Sequence, residues 1–232
     1  MAKIYIRGDI IGNDDKWIYD WLEWESTCPR DVRGVLDTVD PLSGEGVDVY
    51  ISSPGGMVVA GAEIYSMLSE REDVRIHIDG LAASAASVIA MAGRSSISPV
   101  GMLMVHRCSS FAMGNAEEIQ KTVNALSEID RSIATAYCQK SGMTMKDALK
   151  MMSAETWLTS GRCLELGLVD EVTEPKSTAL DAAASFEGLR LTDEIRSRVL
   201  KEKAERDRKD KEAAERKAEA EALTSDLYKF GV

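Results

Sequence analysis

The sequence predicts an α/β fold made of repeated strand–turn–helix units. Two β-rich runs, residues 47–51 (VDVYI) and 74–78 (VRIHI), each lead through a Gly-containing turn into a helical pattern. Short strands that alternate with helices are typical of βαβ units, whose strands lie parallel in one sheet. The chain has 232 residues and is 44% hydrophobic, which is enough for a buried core of this kind.

The remaining elements are predicted from hydrophobic periodicity and from turn and cap residues. In chain order we expect a strand over 3–7, an aromatic helix over 17–24, a short helix within 29–46, helices from 58 to about 70 and over 80–93, strands over 95–99 and 102–106, a helix from 116 to about 141, a helix over 145–152 capped by Thr144, an extended piece at 157–158, a helical turn over 160–166 and a strand over 168–172. The turns at 52–56 and 79–84 then fall at the carboxyl ends of parallel strands, where sites form in such sheets.

The composition changes after Pro175, so we predict one domain over residues 1–175 and a linker with a charged tail over 176–232. Residues 201–222 mix acidic and basic side chains with Ala as the only apolar type, which leaves no apolar seam for a coiled coil. We expect a solvated helix with i,i+4 ion pairs such as Glu202–Arg206 and Glu212–Arg216, or a frayed tail.

Charge and composition exclude several classes of function. A net charge of −11 without a basic stripe argues against a nucleic-acid-binding protein. The cysteines (Cys28, Cys108, Cys138 and Cys163) are widely spaced, which indicates neither a zinc site nor a disulfide framework and fits a reducing cytoplasm. No signal peptide is apparent and no apolar run reaches the length of a membrane span, so we expect a cytoplasmic protein without membrane contact.

Three features could carry chemistry, although each is also common in purely structural roles. The run GLAASAASVIAMAG at 80–93 contains Ser84 and Ser87, which fit a packed helix as well as a nucleophile. Of the two histidines, His77 lies mid-strand and should pack, whereas His106 ends a strand and could act as a base. The SPGG sequence at 53–56 allows close backbone approach and offers N–H groups to an oxyanion, or forms an ordinary turn.

Four motifs in order, SSPGG (52–56), GLAAS (80–84), MVHR (104–107) and ETWLTSGRCLELGLVD (155–170), together resemble the proteolytic subunit of the Clp protease, the ClpP peptidase family. Within that family the chain resembles the head-maturation (prohead) proteases of tailed phages and prophages. The resemblance covers roughly residues 3–173. It implies a ClpP/crotonase-type spiral of βαβ units with a projecting handle helix, here 116–141, and self-association into rings.

The resemblance also implies a catalytic triad. Ser84 matches the family nucleophile and His106 the general base. Glu155 stands where ClpP has Asp, one methylene shorter, so it can orient His106 only if its backbone sits slightly further back. Asp170 is the alternative acid, although its matching family residue ends a strand and does not serve the triad.

The implied oxyanion hole consists of the backbone N–H groups of Gly56 and Ala85, and Ser87 is left with a structural role. The implied reaction is acyl transfer, which needs no metal or cofactor.

The implied function is that of an ATP-independent serine endopeptidase that processes scaffold or capsid proteins during phage head assembly. Its substrate would be a protein or peptide, and its location the bacterial host cytoplasm or an assembling prohead. Because the aromatic helix and the charged extension depart from housekeeping ClpP, we expect no ATPase partner. The alternatives are a housekeeping-type subunit that works with an ATPase, a catalytically silent scaffold protein with this fold, and a crotonase-type enzyme that acts on acyl thioesters.

Overall fold

The structure, a computed structural model, describes residues 1–41, 44–173 and 191–229, with side chains as far as residue 215. The chain divides into two compact units, Met1–Gly188 and Leu189–Val232. The predicted boundary at residue 175 and most of the predicted linker lie outside the described residues, so the division at 175 stays a prediction.

A mainly parallel sheet forms the centre of the first unit. Its strands among the described residues are β1 (Ala2–Ile10), β2 (Ser26–Thr27), β3 (Val47–Gly56), β4 (Val74–Ala83), β5 (Arg94–Ile97), β6 (Met102–Val105), β7 (Thr156–Thr159) and β8 (Glu171–Val172). They run in the order β2-β1-β3-β4-β5-β8, with β6 paired to β4 and to β7. All of these pairs are parallel except β6 with β7, which is antiparallel. The α/β prediction is confirmed.

Helices connect these strands, most of them where the periodicity predicted, although the aromatic helix expected over 17–24 ends at Trp21. They are α1 (Lys16–Trp21), α2 (Pro29–Leu36), α3 (Val58–Ser69), α4 (Ala85–Ile89), α5 (Ala116–Ser141), α6 (Met145–Ser153) and α7 (Ser160–Glu165). The Thr144 side chain accepts the Asp147 N–H at 3.2 Å, so the predicted cap of α6 is confirmed. The long helix α5 is followed by Gly142 in the left-handed conformation, a common helix stop.

Two predicted turns are wrong, because the strands continue through them. Residues 52–56 belong to β3, where Gly56 pairs with Ile10 of β1, and Ser53 pairs with Ala82 of β4. Residues 79–83 belong to β4, and the predicted helix over 80–93 shrinks to Ala85–Ile89. The first small residues of the run at 80–93 therefore lie in a strand, where Ala82 and Ala83 pair with Leu103 and Met104 of β6.

The core lies between the sheet and the helices that cover one of its faces. It is built from the aliphatic side chains that alternate along β1, β3 and β4, including Ile6, Ile51 and Ile76, all fully buried. Ile64 of α3 and Ile89 of α4 pack into the same cluster. This packing fixes the positions of the carboxyl ends of β3, β4 and β6.

The second unit contains a long charged helix, α8 (Asp193–Lys229), which is the first of the two alternatives expected for residues 201–222. Ion pairs at i,i+4 join Lys203 to Asp207 at 3.2 Å, Arg208 to Glu212 and Lys211 to Glu215. The two pairs named from the sequence stay predictions. No described helix is both long and apolar enough to cross a membrane.

Candidate active site

Ser84 occupies a strained turn between β4 and α4. Its backbone adopts φ 53° and ψ −123°, a conformation that residues with a side chain rarely adopt. Such conformations cost about 1–3 kcal/mol and persist where the surrounding structure enforces them, which is common at active sites. Here the Ser84 N–H donates to the Met104 carbonyl at 2.9 Å, which ties the turn to β6.

His106 lies directly beyond the end of β6 and contacts Ser84. Its Nε2 is 2.7 Å from Ser84 Oγ. Because β4 and β6 are parallel and Ala83 pairs with Met104, the residues that follow the two strands come together at one edge of the sheet. A neutral imidazole with its proton on Nδ1 accepts the hydroxyl proton at Nε2, which is the arrangement that a general base requires.

His77 is held elsewhere, in the structural role that the sequence predicted. Its Nδ1 lies 2.9 Å from Ser96 Oγ and its Nε2 lies 3.2 Å from Asp48 Oδ1. Its ring also stacks on Tyr50, with centroids 4.9 Å apart. Since the chain has two histidines, His106 is the imidazole available to Ser84.

Glu155 immediately precedes β7, and His106 immediately follows β6. Strands β6 and β7 are antiparallel, and the last pair of their ladder joins Val105 to Thr156, the chain neighbours of His106 and Glu155. The Glu155 backbone also has a positive φ, 46°, directly after α6. Within the part of the chain that the structure describes, no carboxylate forms a hydrogen bond or ion pair with His106.

Asp170, the alternative acid, is engaged in other contacts. Its carboxylate forms an ion pair with Lys140 of α5 and accepts the Ser95 N–H at 2.7 Å. Partial burial by itself would raise the pKa of Asp170, but these hydrogen bonds outweigh burial and lower the pKa below its ordinary value. The structure therefore places Asp170 in a link between α5 and β5.

The two predicted oxyanion-hole residues belong to two segments that approach each other at the nucleophile turn. Gly56 ends β3, and Ala85 is the first residue of α4, where a helix N–H has no intrahelical acceptor. Gly55 has φ 97°, and a Cβ on it would lie 2.6 Å from the Ala83 oxygen and 2.7 Å from the Ser84 Cβ. Only glycine allows the end of β3 to approach Ser84 this closely.

Two further residues, Ser87 and Tyr137, support the nucleophile, and Tyr137 was not recognised from the sequence. Ser87 Oγ donates to the Ser84 carbonyl at 2.6 Å and lies 2.7 Å from the Tyr137 hydroxyl. Because the Ser87 hydroxyl donates its one proton to the Ser84 carbonyl, the Tyr137 hydroxyl is the donor in its bond with Ser87. Burial raises the pKa of Tyr137 well above its ordinary value, and the hydrogen bond to Ser87 opposes this only partly. Tyr137 is therefore a neutral donor.

Among the described residues, no group of three or more His, Cys, Asp or Glu side chains lies close enough to hold a metal ion. The four cysteines are free. Burial raises the pKa of the Cys163 thiol to about 11, which leaves it protonated and poorly nucleophilic. Of the groups described at this sheet edge, the Ser84 hydroxyl is the one paired with a base.

Comparison with known proteins identifies the family. The family model for Clp protease matches residues 35–176. The chain belongs to the Clp protease family. The match includes the segment from β3 to β7, and therefore Gly56, Ser84, Ala85, His106 and Glu155.

Members of the Clp protease family with related sequences occur in several bacteria. The chain is 34% identical over 141 residues to the ATP-dependent Clp protease proteolytic subunit of Bacteroides fragilis, covering 59% of this chain and 67% of the relative. It is 33% identical over 141 residues to the protein of the same name from Bacteroides thetaiotaomicron, covering 59% of this chain and 63% of the relative. The protein of that name from Porphyromonas gingivalis is 29% identical over 143 residues, covering 60% of this chain and 64% of the relative. The chain thus spans about two thirds of the length of these relatives, and the predicted placement in the phage branch stays a prediction.

Proposed function

We propose that the protein is a serine endopeptidase that hydrolyses peptide bonds with Ser84 as nucleophile and His106 as general base. The observation that carries this proposal is the 2.7 Å contact between Ser84 Oγ and His106 Nε2 at a strained strand–helix turn. A hydroxyl is a weak nucleophile at neutral pH, and an adjacent imidazole that accepts its proton activates it.

The reaction follows from these positions. Ser84 Oγ attacks the scissile carbonyl while His106 Nε2 takes the hydroxyl proton, and His106 then gives this proton to the leaving amine. A water that loses its proton to His106 hydrolyses the acyl ester and restores Ser84. The N–H groups of Gly56 and Ala85 receive the negative oxygen of each tetrahedral intermediate, and one such donor contributes about 3 kcal/mol. The residues named here suffice without a metal or cofactor.

We assign the acid role to Glu155 within this proposal. The β6–β7 pairing supports the assignment, since its last pair joins Val105 to Thr156, the residues next to His106 and Glu155 in the chain. A carboxylate there would hold the proton on Nδ1 and stabilise the imidazolium that forms during the reaction. Catalytic hydrogen bonds are often longer before substrate binds, so the Glu155–His106 contact would form on substrate binding.

A fluorophosphonate probe tests the nucleophile and the base directly. We expect one adduct, on Ser84, found by mass spectrometry of the digested protein. Ser84→Ala should abolish this adduct, and His106→Ala should slow its formation by at least about 100-fold. Ser127→Ala removes an exposed hydroxyl of α5 that bonds its own helix, and should change nothing. A folded protein without an adduct would contradict the proposal and favour the silent scaffold or the crotonase-type alternative.

Glu155→Gln tests the acid. It keeps the size of the side chain and removes the charge, so labelling of Ser84 should be slower but present. An unchanged labelling rate would move the acid role to another residue. Asp170→Asn provides the comparison and should leave the rate near that of the wild type, because its carboxylate is held by Lys140 and Ser95.

We further propose self-association into rings through α5. The first half of this helix exposes Ile119 and Val123, which are 41% and 48% accessible. Exposed aliphatic side chains on one helix face are typical of an interface. Ile119→Glu together with Val123→Glu should shift the protein to smaller species in analytical ultracentrifugation. A wild-type monomer at all concentrations would refute ring assembly.

For the substrate, we propose assembly proteins such as phage scaffold or capsid proteins, processed without ATP. Two elements outside the family match support a specialised role, the aromatic helix α1 and the charged helix α8. The second candidate is a housekeeping-type subunit that works with an ATPase, and the names of the bacterial relatives favour it. Digestion of a folded capsid protein by the purified chain alone supports the first. Degradation that requires an added Clp ATPase and ATP supports the second.

A further inference from the structure

A groove of about 440 Å³ lies beside the segment that follows β6, and its charged lining is entirely basic. It is bordered by α5 and α6, with apolar and hydroxyl side chains between the cations. Its lining residues are Arg107, Arg131, Met145, Lys146, Leu149, Lys150 and Ser153. In a chain whose net charge is −11, such a gathering of cations requires an explanation.

The cations of the groove are mostly uncompensated within the protein. Arg107 Nη1 forms an ion pair with the buried Asp130 at 2.9 Å. Arg131, Lys146 and Lys150 form no ion pair with any residue that the structure describes. Like charges held at one groove repel one another, and an anion in the groove relieves that repulsion. The carboxylate of Asp147, which follows Lys146, is engaged by the Thr144 hydroxyl at 2.7 Å.

Arg107 has a fixed position in the groove. Its Nε donates to Ser153 Oγ at 2.6 Å, and Nη1 donates to Asp130 Oδ2. Asp130 is held in turn by the Cys108 N–H at 2.8 Å. The remaining guanidinium N–H groups are oriented in advance, which favours binding of a planar carboxylate.

Two residues of the groove lie close in sequence to the proposed catalytic residues. Arg107 directly follows His106, and Ser153 lies two residues before Glu155. A substrate bound in extended form advances about 3.3 Å per residue, so residues close to the scissile bond fall within reach of this region. An acidic side chain in that part of the substrate could contact the cations while the scissile carbonyl lies at Ser84.

We infer that this groove is a subsite for an acidic side chain, Asp or Glu, of the peptide substrate. The inference rests on the proposed peptidase function. Solvent-exposed charge pairs are individually weak, at about 0.2–1 kcal/mol. The combined contribution of these cations should give about a tenfold preference for a Glu peptide over its Gln counterpart.

Binding is measured separately from catalysis, so that the two proposals can fail independently. A fluorescent peptide series carries a single Glu, moved one position at a time, and a matched series carries Gln. Anisotropy titrations use the full chain with Ser84→Ala. We expect one Glu position to bind about tenfold more tightly than Gln, with the difference reduced at high salt. Equal affinity of the Glu and Gln peptides at every position would overturn the subsite, whereas labelling of Ser84 in the wild type reports on the peptidase alone.

Variants then locate the effect. Lys146→Gln together with Lys150→Gln should reduce the preference to about twofold and leave Gln-peptide affinity unchanged. Lys121→Gln, on an exposed part of α5 outside the groove, is the matched control and should keep the full preference. If the groove variants change the oligomeric state and not the peptide preference, the groove is an interface between copies and the inference is wrong.

Discussion

Tyr137→Phe removes one hydroxyl from the hydrogen-bonded chain that runs from α5 to the nucleophile. In the wild type Tyr137 donates to Ser87, and Ser87 donates to the carbonyl of Ser84, over distances of 2.7 and 2.6 Å. The substitution keeps the ring that packs in the core and deletes only the donor. Ser87 then keeps its bond to Ser84 but loses the group that fixes its own orientation.

The expected loss of stability in Tyr137→Phe follows from the burial of the two hydroxyl groups. Tyr137 is 1% exposed and Ser87 is fully buried, so water cannot replace the lost hydrogen bond. A buried hydrogen bond of this kind contributes about 1.5 kcal/mol to the free energy of unfolding. We expect about 1 kcal/mol of this loss to fall on the strained turn that positions Ser84. If the activation free energy rises by the same amount, the nucleophile reacts about fivefold more slowly.

Two measurements separate stability from positioning. Urea unfolding should show the loss of about 1.5 kcal/mol in Tyr137→Phe, and fluorophosphonate labelling should show the slower rate under native conditions. Tyr65→Phe is the matched control, because its hydroxyl bonds Gln139 at 3.0 Å on the exposed surface and should contribute at most about 0.5 kcal/mol.

A double-mutant cycle with Ser87→Ala sharpens the test. Removing both hydroxyls leaves no unpaired buried group, so the double variant should lose less stability than the sum of the single variants. A Tyr137→Phe protein that is less stable but labels at the wild-type rate would refute a positioning role. The hydrogen-bonded chain would then serve packing alone.

Two further substitutions test the surroundings of the site. Gly55→Ala should cost at least about 3 kcal/mol and abolish labelling of Ser84, because of its positive φ and the lack of space for a Cβ. Gly161→Ala is the control, because its Cβ would meet no described atom within 4 Å, and it should change stability by no more than about 0.5 kcal/mol. Equal losses of stability in the two variants would disprove the steric argument. Asp170→Asn should lower stability at pH 7 by about 1 kcal/mol, a modest value because the Asp170 side chain is 43% exposed beside Lys140. Since folding lowers the pKa of Asp170 from 3.8, its contribution is present above that pH and disappears as the pH falls through the lowered value, so wild type and variant should converge in acid unfolding curves.

The parts of the fold that the sequence predicted correctly depend on local signals. The alternation of β-rich and helical runs predicted the parallel sheet, and the apolar spacing of residues 116–141 predicted α5 with its observed bounds. The side chain of Thr144 caps a helix that begins one residue later, so the cap could be recognised without any knowledge of tertiary contacts.

The errors occur where distant segments decide the structure. Glycine and proline at 54–56 predict a turn, but pairing with β1 keeps the chain in the sheet as far as Gly56. The contact between Ser87 and Tyr137 joins residues 50 positions apart, and a tyrosine on an apolar helix face gives no sign of that partner. The Ser84–His106 pairing followed from resemblance together with strand-end placement, whereas the orientation of Glu155 depends on side-chain contacts that no sequence pattern specifies.

The pairing of β4 with β6 has a consequence for when the proposed catalytic pair can form. The amide of Ser84 is held by Met104, and His106 follows two residues later, so the hydroxyl and the imidazole meet only after β6 has joined the sheet. A nascent chain that has emerged only as far as β5 carries the serine without its base. The segment with Glu155 emerges later still, after the whole of α5. The order of synthesis therefore delays assembly of the site until most of the first unit can fold, which would protect the growing chain from premature peptidase activity.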